Sequence, residues 1–460
     1  MSALDRLRAR HRSPTAPLLA LSASGQLGYG IPEPAFTAGL ARRPDFIGCD
    51  MGSVDPGPYY LGAGRMATNP EVTRRDLRLV LTGARRLDVP LLLGTAGTAG
   101  AEPHLAATLA MIRDIAAAEG LHFRLASIRA DIPPAVVATA QAEGRLHPLG
   151  PCPTPTGDEI MRSRIVGQMG VEAFSRALAT GADVVIAGRA CDTAVFAAIP
   201  HLLGYPMALA MHMAKIIECT SICCVPGGRD AMLGELNHDG FVLESMNPVR
   251  HATPTSVAAH SLYEQSDPFG VAEPEGLLRL DHVQYTALDA HRTRVSGATW
   301  QPATALRVKI EGALWEGERA VLLAGSADPG FIAAIDEILA AVEVTARRLF
   351  PHEFRLFPRI YGRHGVSLWS DVTPDAPPRE ICVVVECVAQ QSDIAIGALT
   401  VFKQYLLHHG FRGRLSTAGN VAFPLTPPEL SAGAAYRFSL YHLMEVTDTA
   451  GLFPVAVENL

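Results

Sequence analysis

Four short stretches of this 460-residue chain follow apolar runs and combine glycine with side chains that can move protons or hold anions. They are 25–30, with Gly25, Gly28 and Gly30; 50–60, with Asp50, Ser53 and Asp55; 94–100, with Gly94, Gly97 and Gly100; and 188–192, with Arg189 and Asp192. Three aspartates at the ends of strands supply hard oxygen ligands for Mg²⁺ or Mn²⁺, or a base and its orienting partner. Aspartate also caps helices and closes turns, and Asp55 before Pro56 and Asp192 before a helical stretch fit that description equally well. Arg189 offers a planar fork for a carboxylate or phosphate. Gly28 and Gly97, with Ser53, are positioned to bring backbone amides close to an anion, although neither glycine loop has the order of a dinucleotide or phosphate-binding motif and both also read as tight turns.

A fifth stretch, 207–224, is an apolar helix carrying His212, Lys215, Glu218 and Cys219 at helical spacing, so that the four share one broad face. Only three of the 39 basic residues are lysines, Lys215, Lys309 and Lys403. A lysine kept on an apolar helix either has a desolvated, lowered pKa and acts as a base, or lies along the helix paired with Glu218.

The elements that must hold these groups are legible as alternating strands and helices. Apolar runs at 18–23, 46–49, 89–93, 123–128 and 183–187 read as strands of a mostly parallel sheet with helices on both faces. Helices are expected at 69–87, capped by Asn69 with Pro70 in its first turn, and at 102–119, closed by Gly120. From about residue 237 the texture changes to an α+β half: paired β runs at 305–311 and 320–324, a helix at 329–349, strands at 354–361 and 381–388, and a helix at 392–409. The proline-rich 373–378 reads as a surface turn. Two domains are expected, an α/β domain at 1–240 carrying the glycine and aspartate loops and an α+β domain at 241–460. In an open α/β sheet ligands bind beyond the carboxyl ends of the strands, which is where the four loops fall.

Composition narrows the function class. A formal charge of -7 gives no field for nucleic acid, and the longest apolar runs are shorter than the roughly 20 residues needed to cross a bilayer, with no signal peptide ahead of them. Eight dispersed cysteines fit a reducing cytoplasm rather than a disulfide framework, and Cys219, Cys223 and Cys224 lack the spacing of a zinc site.

The segments 47–62 (Ile47-Gly-Cys-Asp50-Met-Gly-Ser-Val-Asp-Pro-Gly-Pro-Tyr-Tyr-Leu-Gly62), Gly188-Arg-Ala-Cys-Asp192 and Ile217-Glu218-Cys219 resemble the acyclic terpene utilisation, or AtuA, family. The late segment 407–424 is similar to a shorter subgroup that lacks an additional C-terminal domain. The resemblance implies breakdown of branched terpenoid or other carboxylic acids, strengthens Asp50, Asp55, Arg189, Asp192 and Glu218 as site residues, and makes a small separate partner subunit plausible. At Ala214 and Lys215 the chain departs from the terpene members, which points to a different substrate and base.

The expected protein is therefore a cytoplasmic enzyme, a homo-oligomer, acting on a small carboxylate or acyl-CoA. Its catalytic set is Asp50, Asp192, Lys215 and Glu218, and its binding set is Gly28, Ser53, Asp55, Gly97 and Arg189. The expected reaction removes a proton next to a carboxylate or thioester, as a lyase, hydratase or isomerase does; metal-assisted hydrolysis and a non-catalytic binding subunit are the alternatives.

Overall fold

A computed structural model describes residues 2–11, 16–366, 377–415 and 418–460. The chain forms two compact units, Met1–Leu314 with Phe438–Leu460, and Trp315–Arg437.

In the first unit, β1 (Leu18–Ser24), β2 (Phe46–Asp50), β3 (Leu91–Gly94), β4 (Arg124–Ile128) and β7 (Val184–Ala187) are parallel neighbours in the order β1-β2-β3-β7-β4. Two short strands, β5 (Leu146–Pro148) and β6 (Arg164–Gly167), lie outside that sheet. The apolar runs form central strands because both faces are covered. Phe46 and Leu92 enter one core and Ile47, Leu91 and Leu93 the other, the period-two alternation of a strand buried on both sides. One face carries the helices Pro70–Leu87 and Glu102–Glu119, and the other carries Val171–Ala179, Asp192–Leu202 and Met207–Ile217. The expected caps form: Asn69 accepts hydrogen bonds from the amides of Glu71 and Val72, and Gly120 ends its helix in the left-handed conformation. This is the expected α/β arrangement with a largely parallel sheet.

Antiparallel strands extend both ends of the sheet. On the β1 side come β8 (Met232–Leu236), β9 (Phe241–Ser245), β13 (Arg292–Ser296) and β12 (Gln284–Ala287), and beyond β4 comes β19 (Val455–Asn459). Residue 240 thus falls in the β8–β9 hairpin. A three-stranded sheet of β10 (Gly270–Glu273), β11 (Gly276–Arg279) and β14 (Thr299–Pro302) supplies one wall of the site described below.

The runs 305–311 and 320–324 do not pair with each other. They belong to one strand, β15 (Arg307–Ser326), whose first half pairs with β6 and whose second half pairs with β17 (Ile381–Ala389). The chain leaves the first unit within β15 and returns within β18 (Glu429–Glu445), which pairs with β5. The second unit adds β16 (Phe354–Tyr361) beside β17 and packs the helices Pro329–Leu349 and Ser392–His408 on its own core, including Phe331, Ile335, Val383 and Phe402. It has the α+β texture expected of this stretch. Of the expected turn at 373–378, residues 373–376 lie outside the described residues. No helix among the described residues is long and apolar enough to cross a membrane.

Candidate functional site

All residues of the site and its cavities belong to the first unit. The loops after β1, β2, β3 and β7 meet at the carboxyl edge of the sheet and are tied to one another by main-chain contacts. The Leu27 amide donates to the Asp50 carbonyl at 2.9 Å, Met51 to Gly94 at 2.8 Å and Ala96 to Ala187 at 2.9 Å. The Ala190 amide donates to Thr95 Oγ1 at 3.0 Å. Close packing explains part of the glycine content: a Cβ on Gly100 would lie 2.2 Å from the Arg189 nitrogen.

The glycine loops do not present a vacant anion cradle. The amides of Gly28, Gly30 and Ile31 donate to the Asp76 carboxylate at 3.0, 2.9 and 3.0 Å, and Asp76 is fully buried. The protein's own aspartate occupies the position expected for a substrate anion. Gly97 packs on His104, which fills the space where its Cβ would stand. Neither Gly28 nor Gly97 lines the cavities below.

Arg189 is likewise engaged. Its Nε and Nη2 reach the two oxygens of Glu311 on β15 at 2.8 and 3.3 Å, and Nη1 donates to the Ala190 carbonyl at 3.0 Å. Lys309 Nζ contacts the same carboxylate at 2.9 Å and lies 4.4 Å from the centre of the Tyr441 ring. Burial alone would raise the Glu311 carboxyl, but the Arg189 and Lys309 charges hold it below the usual range. Glu311 is fully buried, while Lys309 keeps 23% of its side chain exposed on the cavity wall. The clamp expected of Arg189 is thus directed inward, and Lys309 is the cation it leaves facing the cavity.

The helix read as 207–224 stops at Ile217, followed by Glu218 as its cap and a 3-10 turn at Thr220–Cys223. Lys215 Nζ is 2.7 Å from Glu218 Oε1 and 3.5 Å from Glu264 Oε2. Desolvation works to lower the Lys215 pKa, yet the charge and hydrogen bond of Glu218 outweigh it and the net shift is upward. Lys215 is paired with Glu218, and its shift runs opposite to the lowering that a lysine base would need. His212 leaves the shared face, with Nε2 at 3.2 Å from Ser261 Oγ and the ring edge-on to Phe241.

Asp50, Asp192 and Glu218 come together. Burial, then the Asp192 charge, raises Asp50 well above the carboxylate range. Burial also raises Asp192, against the pull of Arg189 and Lys215. Burial followed by the Asp192 charge pushes Glu218 up to about 8, against the opposing Lys215 charge. Asp50 Oδ1 accepts the Gly52 amide at 3.1 Å, whereas Asp192 Oδ1 is buried with no hydrogen-bond partner among the described residues. Ser53 donates to Asp55 at 2.6 Å, forming a polar turn at the rim.

Two cavities adjoin this group. The larger, about 760 Å³, is lined by Asp192, Glu218, Lys215, Arg189 and Lys309 among others, and the smaller, about 180 Å³, reaches Asp50. Ser53, Asp55, Asp192, Glu218 and Glu264 border both. Among the described residues no three His, Cys, Asp or Glu side chains are grouped so as to hold a metal ion.

Sequence reading missed Glu273, Glu264 and Glu311. Glu273 stands on the hairpin that faces the large cavity, and burial followed by the charge of nearby Glu275 pushes its carboxyl up to about 7. Lys309 was visible only as one of three lysines in an arginine-rich chain. All three pair with a glutamate at most 9% exposed: Lys215 with Glu218, Lys309 with Glu311 and Lys403 with Glu429.

No curated protein and no solved structure matches the chain. The family model described as acyclic terpene utilisation family protein AtuA matches residues 96–330, a span that holds the 188–192 and 217–219 motifs and begins after the 47–62 motif. With more than half of the chain matched, the protein belongs to the acyclic terpene utilisation (AtuA) family.

Proposed function

We propose that the protein is a cytoplasmic catabolic enzyme that moves a proton at the carbon next to a carboxylate or thioester, as a lyase, hydratase or isomerase does. The observation that carries this reading is the group of Asp50, Asp192 and Glu218: three carboxyls raised by burial, Asp50 and Glu218 also by the Asp192 charge, beside one ammonium, at the junction of two cavities. Such a group does not ionise fully near neutral pH, because each further negative charge is placed beside another in a poorly solvated site. One member remains protonated while a neighbour is ionised, the condition for an acid and a base to share one site. The family's association with acyclic terpene utilisation supports the catabolic role.

In this reading Asp192 and Glu218 exchange the proton with the substrate, and Asp50 sets how many protons the group holds. Lys215, held as an ammonium, stabilises negative charge that develops on the substrate. Lys309 attracts the anionic end. Ser53 and Asp55 shape the rim between the cavities. No step is assigned to Gly28 or Gly97.

The test is incubation in heavy water with a panel of carboxylic acids and their CoA thioesters, followed by proton NMR of the hydrogens next to the carbonyl. Loss of that signal with the wild-type protein and not with Glu218→Gln supports the reading. Turnover of a panel member with full retention of that hydrogen overturns it.

A further inference from the structure

We propose that the large cavity takes a short-chain hydroxycarboxylic acid, with the carboxylate against Lys309 and the hydroxyl against Asp192 and Thr193. The inference rests on the proton-transfer reading and names its substrate class.

Two separate ion-pair groups line this one cavity. In the first, two cations, Arg189 and Lys309, share one buried carboxylate, Glu311, so the group carries a net positive charge and its accessible member is Lys309. That end suits an anion. The second group has the opposite balance: Asp192, Glu218, Glu264 and Glu273 against Lys215. A second carboxylate on the ligand would meet like charges there, while a cation would gain little from carboxyls that already retain protons. A neutral hydroxyl, able both to donate and to accept, matches a wall of mixed carboxyls and carboxylates.

Unfilled hydrogen-bonding capacity lies at that end. Thr193 is only 4% exposed and its hydroxyl lies beside the Glu273 carboxyl, while Asp192 Oδ1 has no hydrogen-bond partner among the described residues. A buried polar atom without a partner calls for one from outside the chain, and at a cavity wall a water or a ligand group can supply it. Val271, Leu277, Leu149 and Leu443 also line the cavity and offer apolar surface for a carbon chain. A volume near 760 Å³ is within the range of small-molecule sites.

For a 3-hydroxy acid the corresponding step is elimination. An ionised carboxylate of the Asp192 and Glu218 pair takes the proton from carbon 2. The electron pair forms the double bond to carbon 3, and the carbon–oxygen bond breaks. The hydroxyl leaves as water with a proton from the protonated partner, and no oxidant or reductant is required. Lys309 at the carboxylate stabilises the charge that gathers there as carbon 2 loses its proton.

The experiment is calorimetric titration of the full chain with 3-hydroxyhexanoate, hexanoate and glutarate, alongside Lys309→Met, Lys309→Arg and Thr193→Val. The hydroxy acid is expected to bind at least about tenfold tighter than either comparator. Lys309→Met weakens 3-hydroxyhexanoate and hexanoate together, Lys309→Arg restores part of the loss, and Thr193→Val removes the preference for the hydroxyl without weakening hexanoate. Equal binding of hexanoate and its hydroxy form, or no binding of any of the three acids, overturns the substrate class. Selective binding of the hydroxy acid without hydrogen exchange at carbon 2 supports the class and overturns the proton-transfer reading. Exchange at carbon 2 with no preference for the hydroxyl has the opposite consequence.

Discussion

Lys215 Nζ lies 2.7 Å from Glu218 Oε1, three residues along the chain, and this contact sets the charge of the site. Without the ammonium, Glu218 would face Asp192 and Glu264 with no cation beside it. With it, the carboxyls retain the capacity to ionise one at a time. In the proposed reaction the lysine is thus an electrostatic partner of the carboxyl group rather than the base.

Lys215→Met is expected to lower turnover at least about a hundredfold, within the range for loss of a charge that stabilises a transition state. Its melting temperature at pH 6 should stay close to the wild type, because Glu218 can take a proton in place of its partner. A Lys215→Arg protein that keeps the charge should recover part of the activity. Steady-state rates and thermal melts of the three proteins check this.

Removing one partner of a buried pair leaves an uncompensated charge. Glu311→Gln therefore leaves Arg189 and Lys309 facing each other and is expected to destabilise the protein by about 3–5 kcal/mol, read from urea denaturation. An unchanged denaturation midpoint would show that the two cations are solvated.

Asp76 accepts three backbone hydrogen bonds at the turn after β1 and lines neither cavity. Asp76→Ala leaves two buried amides and one part-buried amide without an acceptor, at a cost of about 3 kcal/mol. Substrate affinity of the fraction that remains folded should be unchanged. A selective loss of binding with normal stability would return the glycine loop to the ligand site.

Stability should also depend on pH in a direction fixed by the raised carboxyls. Glu218 rises from an ordinary value of 4.5 to about 8 through burial and the Asp192 charge. Glu273 rises to about 7 through burial and the Glu275 charge. The folded state holds these protons longer than the unfolded state, so their contribution is complete below about 4.5 and declines as pH climbs through 7 to 8. The melting temperature of the wild type is expected to fall across that window, and that of a Glu218→Gln, Glu273→Gln double variant to fall less.

Local rules account for what could be read in the sequence. The apolar runs at 18–23 and 46–49 are strands because both faces need covering, and Asn69 and Gly120 cap helices by chemistry contained within a few residues. The meeting of Asp50, Arg189 and Asp192 at one edge follows from parallel strands whose loops share an end. What remained hidden depends on distant partners. Gly28 meets Asp76 from 48 residues away and Arg189 meets Glu311 from 122 away, so neither reads as already engaged in a local pattern. The short strands β10, β11 and β14 are four residues each, too brief for periodicity to register, and Glu273 was hidden with them. The helix end at Ile217 was masked because apolar composition continues through the 3-10 turn.

The most direct test of the carboxyl group as a proton-transfer centre is the pH profile of deuterium incorporation next to the carboxylate for an acid that the protein is found to bind. With Glu218 pushed up to about 8, incorporation by the wild type should fall on a limb near that pH, and Glu218→Gln should lose both the rate and the limb. A Glu218→Gln protein that exchanges hydrogen at the wild-type rate, with the same limb, would contradict the account.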